Sequence, residues 1–145
     1  MFKMTRMLSD SFKQKAVFRI DGDVLVFTKE TESSSAVWMP FRSPNVGAYR
    51  IYFISCDDSN RVDVCVPQLT SVTPSRAADV LPVLNQLNNT YRFLKFEMDE
   101  DGEINVLYNY FEDFSNPGAG AMEVISRILC ILDDAYPQLI QAIRN

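Results

Sequence analysis

The sequence predicts a single α+β domain in which helices flank one antiparallel sheet. First, the chain has 145 residues, of which 47% are apolar and 23% charged, as in one globular domain with a real core. Second, short runs of alternating apolar residues are joined by tight turns, which is typical of antiparallel strands. Third, three segments have helical spacing, and the predicted element order is helix, strands, helix, hairpin, helix.

The first half of the chain is predicted to form one helix followed by five strands. The helix covers residues 2–14, where Met4, Met7, Leu8 and Phe12 recur at spacings of three and four. The strands are placed at residues 17–20, 24–27, 36–41, 49–56 and 61–68. Asp21-Gly22 is a two-residue hairpin signal between the first two strands. The strand at 49–56 is apolar nearly throughout, which predicts a central place in the sheet or a place at an interface.

The second half is predicted to form a helix, a hairpin and a long helix. Thr73-Pro74 is typical of a helix start, and Pro82 predicts either a kink or a regular helix that begins there. Strands at 92–98 and 104–110 form the hairpin across an acidic turn. Apolar residues from Met122 to Ile143 predict the last helix, which Pro137 should bend or break.

Composition and charge exclude several classes of function. The chain has no His, so catalytic triads, Cys-His pairs and His-ligated metals of the usual kinds are excluded. The net charge is −5, and residues 96–126 hold eight acidic groups and no basic one, which disfavours nucleic acid as a partner. No apolar stretch approaches the ~20 residues of a membrane span, and no signal peptide is evident, so we expect a cytoplasmic protein without a membrane partner.

Three acidic or glycine-rich motifs suggest chemistry but are better explained as turns. A calcium loop built on Asp99–Gly102 would need Glu at its twelfth position, where Tyr108 stands. Glu112 and Asp113 are adjacent at a strand end and should point in opposite directions, so we interpret them as solvated charges. The segment 117–121 lacks the spacing of a phosphate-binding loop. Three widely spaced cysteines form no metal or redox motif, and we expect no metal and no cofactor.

The aromatic residues of the strands are more informative. If the helices cover both faces of the sheet, these residues are core; if one face stays uncovered, it is a candidate interface. The residues chosen as the candidate interface are Tyr49, Tyr52, Tyr108, Tyr110 and Phe111.

Four short motifs resemble the YbjN family of bacterial sensory transduction regulators. They are LNQLN at 84–88, RFLKF at 92–96, DEDG at 99–102 and LDDAYPQL at 132–139. The resemblance covers about residues 73–143. It implies an α+β fold similar to type III secretion chaperones, which are small, acidic, cytoplasmic and usually dimeric proteins that bind an extended protein segment.

The predicted function is therefore a non-enzymatic protein-interaction domain, either chaperone-like or a regulatory adaptor. We expect a homodimer with a protein partner and without catalytic residues. The alternative is a small-molecule-binding domain or a carboxylate-dependent hydrolase that uses the acidic region 97–113. That alternative predicts a carboxyl group with a raised pKa inside a pocket.

Overall fold

The computed structural model describes residues 1–145 and contains three α-helices and eight strands. The helices are α1 (Lys3–Lys13), α2 (Ala77–Thr90) and α3 (Ala119–Arg144). The strands are β1 (Arg19–Ile20), β2 (Asp23–Val24), β3 (Phe27–Glu30), β4 (Ser35–Ser43), β5 (Gly47–Ser55), β6 (Arg61–Ser71), β7 (Lys95–Met98) and β8 (Glu103–Phe111). Short 3₁₀ turns at Ala16–Phe18 and Pro74–Arg76 precede β1 and α2.

Six strands form one antiparallel sheet in the order β3-β4-β5-β6-β8-β7, so the predicted α+β class is confirmed. β5 lies inside this sheet, one of the two places predicted for its apolar run. β1 and β2 form a separate small hairpin, turned by Asp21 and Gly22 at φ values of 52° and 85°. The strand predicted at 24–27 is wrong, because β2 ends at Val24 and β3 begins at Phe27 in the other sheet.

Both internal prolines lie within continuous helices. The α-helix begins at Ala77, five residues before Pro82, so the alternative in which its regular part starts at Pro82 is wrong. α3 continues past Pro137 to Arg144, so of the bend or break predicted there, the break is wrong. Both prolines are exposed, and the buried apolar stripes of the two helices offset the ~3 kcal/mol that an interior proline costs.

The core lies between the helices and one face of the sheet. α1 packs against β4 and β5, where Phe12 contacts Phe18 and Phe53 at ring-centroid distances of 5.5 and 5.3 Å. α2 packs against β7 and α3. Val62, Val64 and Val66 of β6 point into this core, and the residues between them point to the opposite face. None of the three helices is long and apolar enough to span a bilayer.

Candidate functional site

The face of the sheet opposite the helices carries no helix of its own, and we call it the open face. The strand register places one row of side chains across all six strands on this face. In order, this row is Phe27, Trp38, Tyr52, Cys65, Leu107 and Lys95. Each of these residues is half-buried or exposed, so a row of mainly apolar side chains is accessible to solvent across this face of the sheet.

The first three members of this row form a stack of aromatic rings. Phe27 and Trp38 are 4.4 Å apart between ring centroids, with 23° between their planes. Trp38 and Tyr52 are 5.6 Å apart at 28°. These separations are close to the ~4.8 Å spacing of neighbouring strands, so the rings stand upright with their faces against one another. Phe27 is 40% exposed, and Trp38 and Tyr52 are half-buried.

A shallow depression continues this row across the open face. It consists of two adjoining cavities of about 330 and 660 Å³ that share Ile54 and Cys65 as lining residues. Lys29 lies at one end and Lys95 at the other. Burial raises the pKa of the Cys65 thiol to about 11, with the nearby Glu97 carboxylate adding to the effect, so this side chain stays protonated and offers apolar surface.

The charges on the open face are distributed unevenly between its two halves. On the side of β6, β8 and β7, Arg61 lies 3.3 Å from Asp63 and the Lys95 ammonium lies 3.9 Å from Glu97. On β3, β4 and β5, the open-face positions include no acidic residue. We call the open-face side chains of these three strands the basic half. Its charged and aromatic members are Phe27, Lys29, Trp38, Arg42, Arg50 and Tyr52.

The five residues predicted as a candidate interface do not lie together. Tyr52 is on the open face, and so is Phe111, which is 73% exposed. Tyr49, Tyr108 and Tyr110 lie on the face that meets the helices, and Tyr49 is only 7% exposed. Residues 49 and 52 are three apart in one strand, and such residues point to opposite faces.

Sequence reasoning did not select Phe27, Trp38 and Arg50. The sequence feature that could have identified them is the polar turn at residues 31–34. A tight turn there pairs Thr31 with Ser34, and counting back along both strands pairs Phe27 with Trp38. The Arg50 guanidinium then lies 4.6 Å from the Trp38 ring centroid, in a cation–π contact.

Glu112 is buried, not solvated as the sequence predicted, with 1% of its surface exposed. Its carboxylate accepts hydrogen bonds from the Tyr110 hydroxyl at 2.7 Å and from the backbone N–H groups of Ala121 at 2.9 Å and of Gly120 and Asp113 at 3.2 Å. The prediction fails because the residues that begin α3 carry no capping side chain, and Glu112 binds their orphan N–H groups across the loop. Burial and the bond to Glu112 raise the pKa of Tyr110.

The other acidic groups are parts of turns. Asp113 is exposed, and its hydrogen bonds from Ser115 lower the pKa of its carboxyl. Asp99 accepts the backbone N–H groups of Asp101 and Glu103, and the bond from Glu103 is the main cause of its lowered pKa. No group of three or more acidic or cysteine side chains is placed to hold a metal ion.

The two edges of the six-stranded sheet differ. The Asn88 side chain donates to the Phe96 carbonyl at 3.0 Å and accepts the Phe96 N–H at 2.6 Å, which occupies both outward backbone groups of Phe96 on the outer edge of β7. At the other edge, Thr31 donates its backbone N–H to the carbonyl of Ser34, so Thr31 and Ser34 are a hydrogen-bonded pair. Hydrogen-bonded and non-hydrogen-bonded pairs alternate along an antiparallel ladder, so Thr28 and Val37 are a non-hydrogen-bonded pair. The backbone N–H and C=O of Thr28 therefore point away from β4. Every residue of β3 is exposed.

Comparison with known proteins gives a structural neighbour and a family. One chain of the heterodimeric complex ExoU-SpcU from the type III secretion system of Pseudomonas aeruginosa is similar at 12% sequence identity. The alignment covers 97% of this chain and 98% of that chain with a TM-score of 0.44, and a likeness of this degree carries no conclusion about function. No curated protein matches the sequence. The sequence model of YbjN, described as "Putative bacterial sensory transduction regulator", matches residues 46–125. This match spans more than half of the chain and includes the LNQLN, RFLKF and DEDG motifs, so the chain belongs to the YbjN family.

Proposed function

We propose that this protein is a non-enzymatic protein-interaction domain, chaperone-like or a regulatory adaptor, that binds an extended segment of a partner protein on the open face. The observation that carries the proposal is the solvent-facing row Phe27–Trp38–Tyr52 on a sheet face without helices. Aromatic residues contribute a large share of binding energy at protein interfaces. A groove lined by strands also suits a segment that lies in extended form.

The acidic region supports this proposal over the alternative of a small-molecule site or a carboxylate-dependent hydrolase. Glu112, its one buried carboxylate, has both oxygens engaged by donors at the start of α3. The pKa values of Asp99 and Asp113 are lowered, whereas a general acid would need a raised one. Neither cavity of the open face is lined by Glu112, Asp99 or Asp113.

Site-specific photo-crosslinking tests the proposed face. A photoreactive phenylalanine analogue placed at Tyr52 should crosslink a protein in cells, and the same analogue at Leu81 should not. Leu81 is a matched control because it is an exposed apolar residue, 53% exposed, on helix α2. In affinity capture, Trp38→Ser should lose the partner that wild type and Leu81→Ser retain. Equal capture by all three proteins would contradict the proposal.

We further propose a homodimer formed through β3, in the cytoplasm. The exposed β3 strand and the outward backbone groups of Thr28 support it, since unpaired strand edges are templates for a further strand. Thr28→Pro removes the outward N–H, while the hydrogen bonds of Phe27 and Lys29 to β4 remain. Sedimentation equilibrium should find a dimer for wild type and Thr28→Ala and a monomer for Thr28→Pro. A monomeric wild type would rule out the dimer, and cell fractionation tests the location.

A further inference from the structure

We propose that the segment bound on the open face is acidic, with an apolar side chain between its carboxylates. This inference rests on the proposed function and names the chemistry of the partner. Its first basis is the sign of the charge. Lys29, Arg42 and Arg50 lie on the basic half, where β3, β4 and β5 present no acidic side chain, although the whole chain carries a net charge of −5. A local excess of positive charge on an acidic protein favours an acidic partner at that place.

The second basis is that these cations have no acidic partner within the molecule. Arg61 and Lys95, on the other half of the open face, each have a carboxylate within 4 Å, whereas Lys29, Arg42 and Arg50 form no ion pair. Arg50 stacks over Trp38 and keeps the N–H donors at the rim of its guanidinium for a carboxylate.

The third basis is the spacing of charge along the strands. Lys29 is opposite Ala36, one same-face step from the aromatic row, and Arg50 is opposite Pro40, one step to the other side of that row. Arg42 is opposite Ala48, one step further. Same-face side chains are about 7 Å apart along a strand, so an extended segment that crosses the row meets a cation, the aromatic rings, and two more cations. The complementary pattern is acidic, apolar, acidic, acidic at every second residue.

The stacking of the rings distinguishes this partner from a single-stranded nucleic acid. Such strands bind by stacking bases on exposed aromatic faces. Here Trp38 stacks with Phe27 and with Tyr52 and also has the Arg50 guanidinium over its ring, so no face of this ring is free for a base and its edge meets the ligand. Ring edges suit the aliphatic part of a Leu or Ile side chain.

The test uses the full chain and a capped peptide of sequence Glu-Ser-Leu-Ser-Glu-Ser-Glu. Trp38 is the chain's one tryptophan, so its fluorescence reports directly on the proposed site. We expect a saturable change that weakens as salt is raised. Arg50→Gln and Lys29→Gln should each lower the affinity about two- to five-fold, the range of exposed ion pairs. Lys13→Gln, which removes the same charge from α1, should leave the affinity unchanged.

Each of the other outcomes overturns the inference in a recognisable way. If a peptide with Lys in place of Glu binds equally well, the site is apolar without charge selection, and the proposed protein-binding face stands. If an oligothymidine binds equally well at the same salt, the basic half is a general anion site. If the fluorescence of the Thr28→Pro variant, which cannot pair through β3, changes with protein concentration alone, a second copy of this chain covers the face. If no saturable change occurs up to about 1 mM peptide, an acidic partner is excluded. The proposed function fails separately, when Tyr52 crosslinks no protein.

Discussion

Replacing Glu112 by alanine should destabilise the fold much more than the same replacement at Asp113. The substitution leaves four donors without their acceptor: the Tyr110 hydroxyl and the N–H groups of Asp113, Gly120 and Ala121. A buried unsatisfied donor costs about 1–3 kcal/mol, and a carboxylate at a helix N-terminus contributes about 0.3–2 kcal/mol. The bonds at 3.2 Å are the weaker ones, and water can reach part of the vacated space. We therefore expect a loss of about 3–5 kcal/mol, as when one partner of a buried ionic contact is removed.

Urea unfolding followed by far-UV circular dichroism measures this loss directly. Domains of this size have a free energy of unfolding of about 5–15 kcal/mol, so the urea concentration at the midpoint of unfolding should be much lower for the variant than for wild type. In thermal unfolding, the melting temperature should fall by about 10 °C or more. Glu112→Gln keeps the volume and one acceptor oxygen, so its loss should be smaller, about 2 kcal/mol.

Asp113→Ala is the matched control, since that carboxylate is exposed and bonds only within its own turn. Its cost should stay below about 1 kcal/mol. A double-mutant cycle between Tyr110→Phe and Glu112→Ala should give a coupling energy above about 0.5 kcal/mol. Equal losses for the alanine variants at positions 112 and 113, or no coupling to Tyr110, would refute the capping role.

Three further substitutions test other parts of the structure, each by urea unfolding. Gly102→Ala should cost more than about 2 kcal/mol, because its φ is 80° and a Cβ there would clash with the carbonyl oxygen of Val72. Gly22→Ala is the control: its φ is 85° but the space around it is open, so it should cost about 1 kcal/mol. Equal costs for the two variants would contradict this explanation. Asn88→Ala should cost about 1–3 kcal/mol and speed hydrogen exchange on the outer edge of β7, whereas Asn89→Ala, at an exposed neighbour, should do neither. Burial raises the pKa of Tyr49 from 10.0 to about 12, so the unfolded chain loses this proton at lower pH than the folded chain, and stability should fall by about 2–3 kcal/mol as pH rises from 10 to 12. Tyr49→Phe should lack the Tyr49 share of that loss and keep the share that comes from the raised pKa values of Cys65 and Tyr110; an alkaline loss equal to that of wild type would count against this account.

The sequence allows the order and type of most elements to be predicted, because local periodicity determines both; the exception is the strand predicted at 24–27, where the structure has the end of β2 and the start of β3. Alternation at Val62, Val64 and Val66 predicts a half-buried strand, and the structure has β6 there. The composition of the open face depends instead on strand register, which a single sequence specifies weakly. Phe27 meets Trp38 only through the pairing of β3 with β4.

Glu112 shows a second limit of sequence-based prediction. Its position directly after β8 favours solvent exposure. It is buried because α3 begins in a stretch of glycine and alanine, which offers no side chain to accept hydrogen bonds from the first N–H groups of the helix. The acceptor for those N–H groups comes from a residue several positions earlier in the chain. Propensity and periodicity describe local preferences and do not identify such a cross-loop contact.

The hydrogen bonds of Asn88 to the outward backbone groups of Phe96 hinder polymerisation of the protein through the β7 edge of its sheet. A fibre of paired strands needs two available edges on every subunit, so that each addition exposes another. Here a pair joined through β3 would form one continuous sheet with β7 at both ends, and at each end the outward groups of Phe96 would be occupied by Asn88. In the proposed dimer, growth beyond two copies would therefore be opposed by the Asn88 side chain on α2, which occupies backbone groups that a further strand would need.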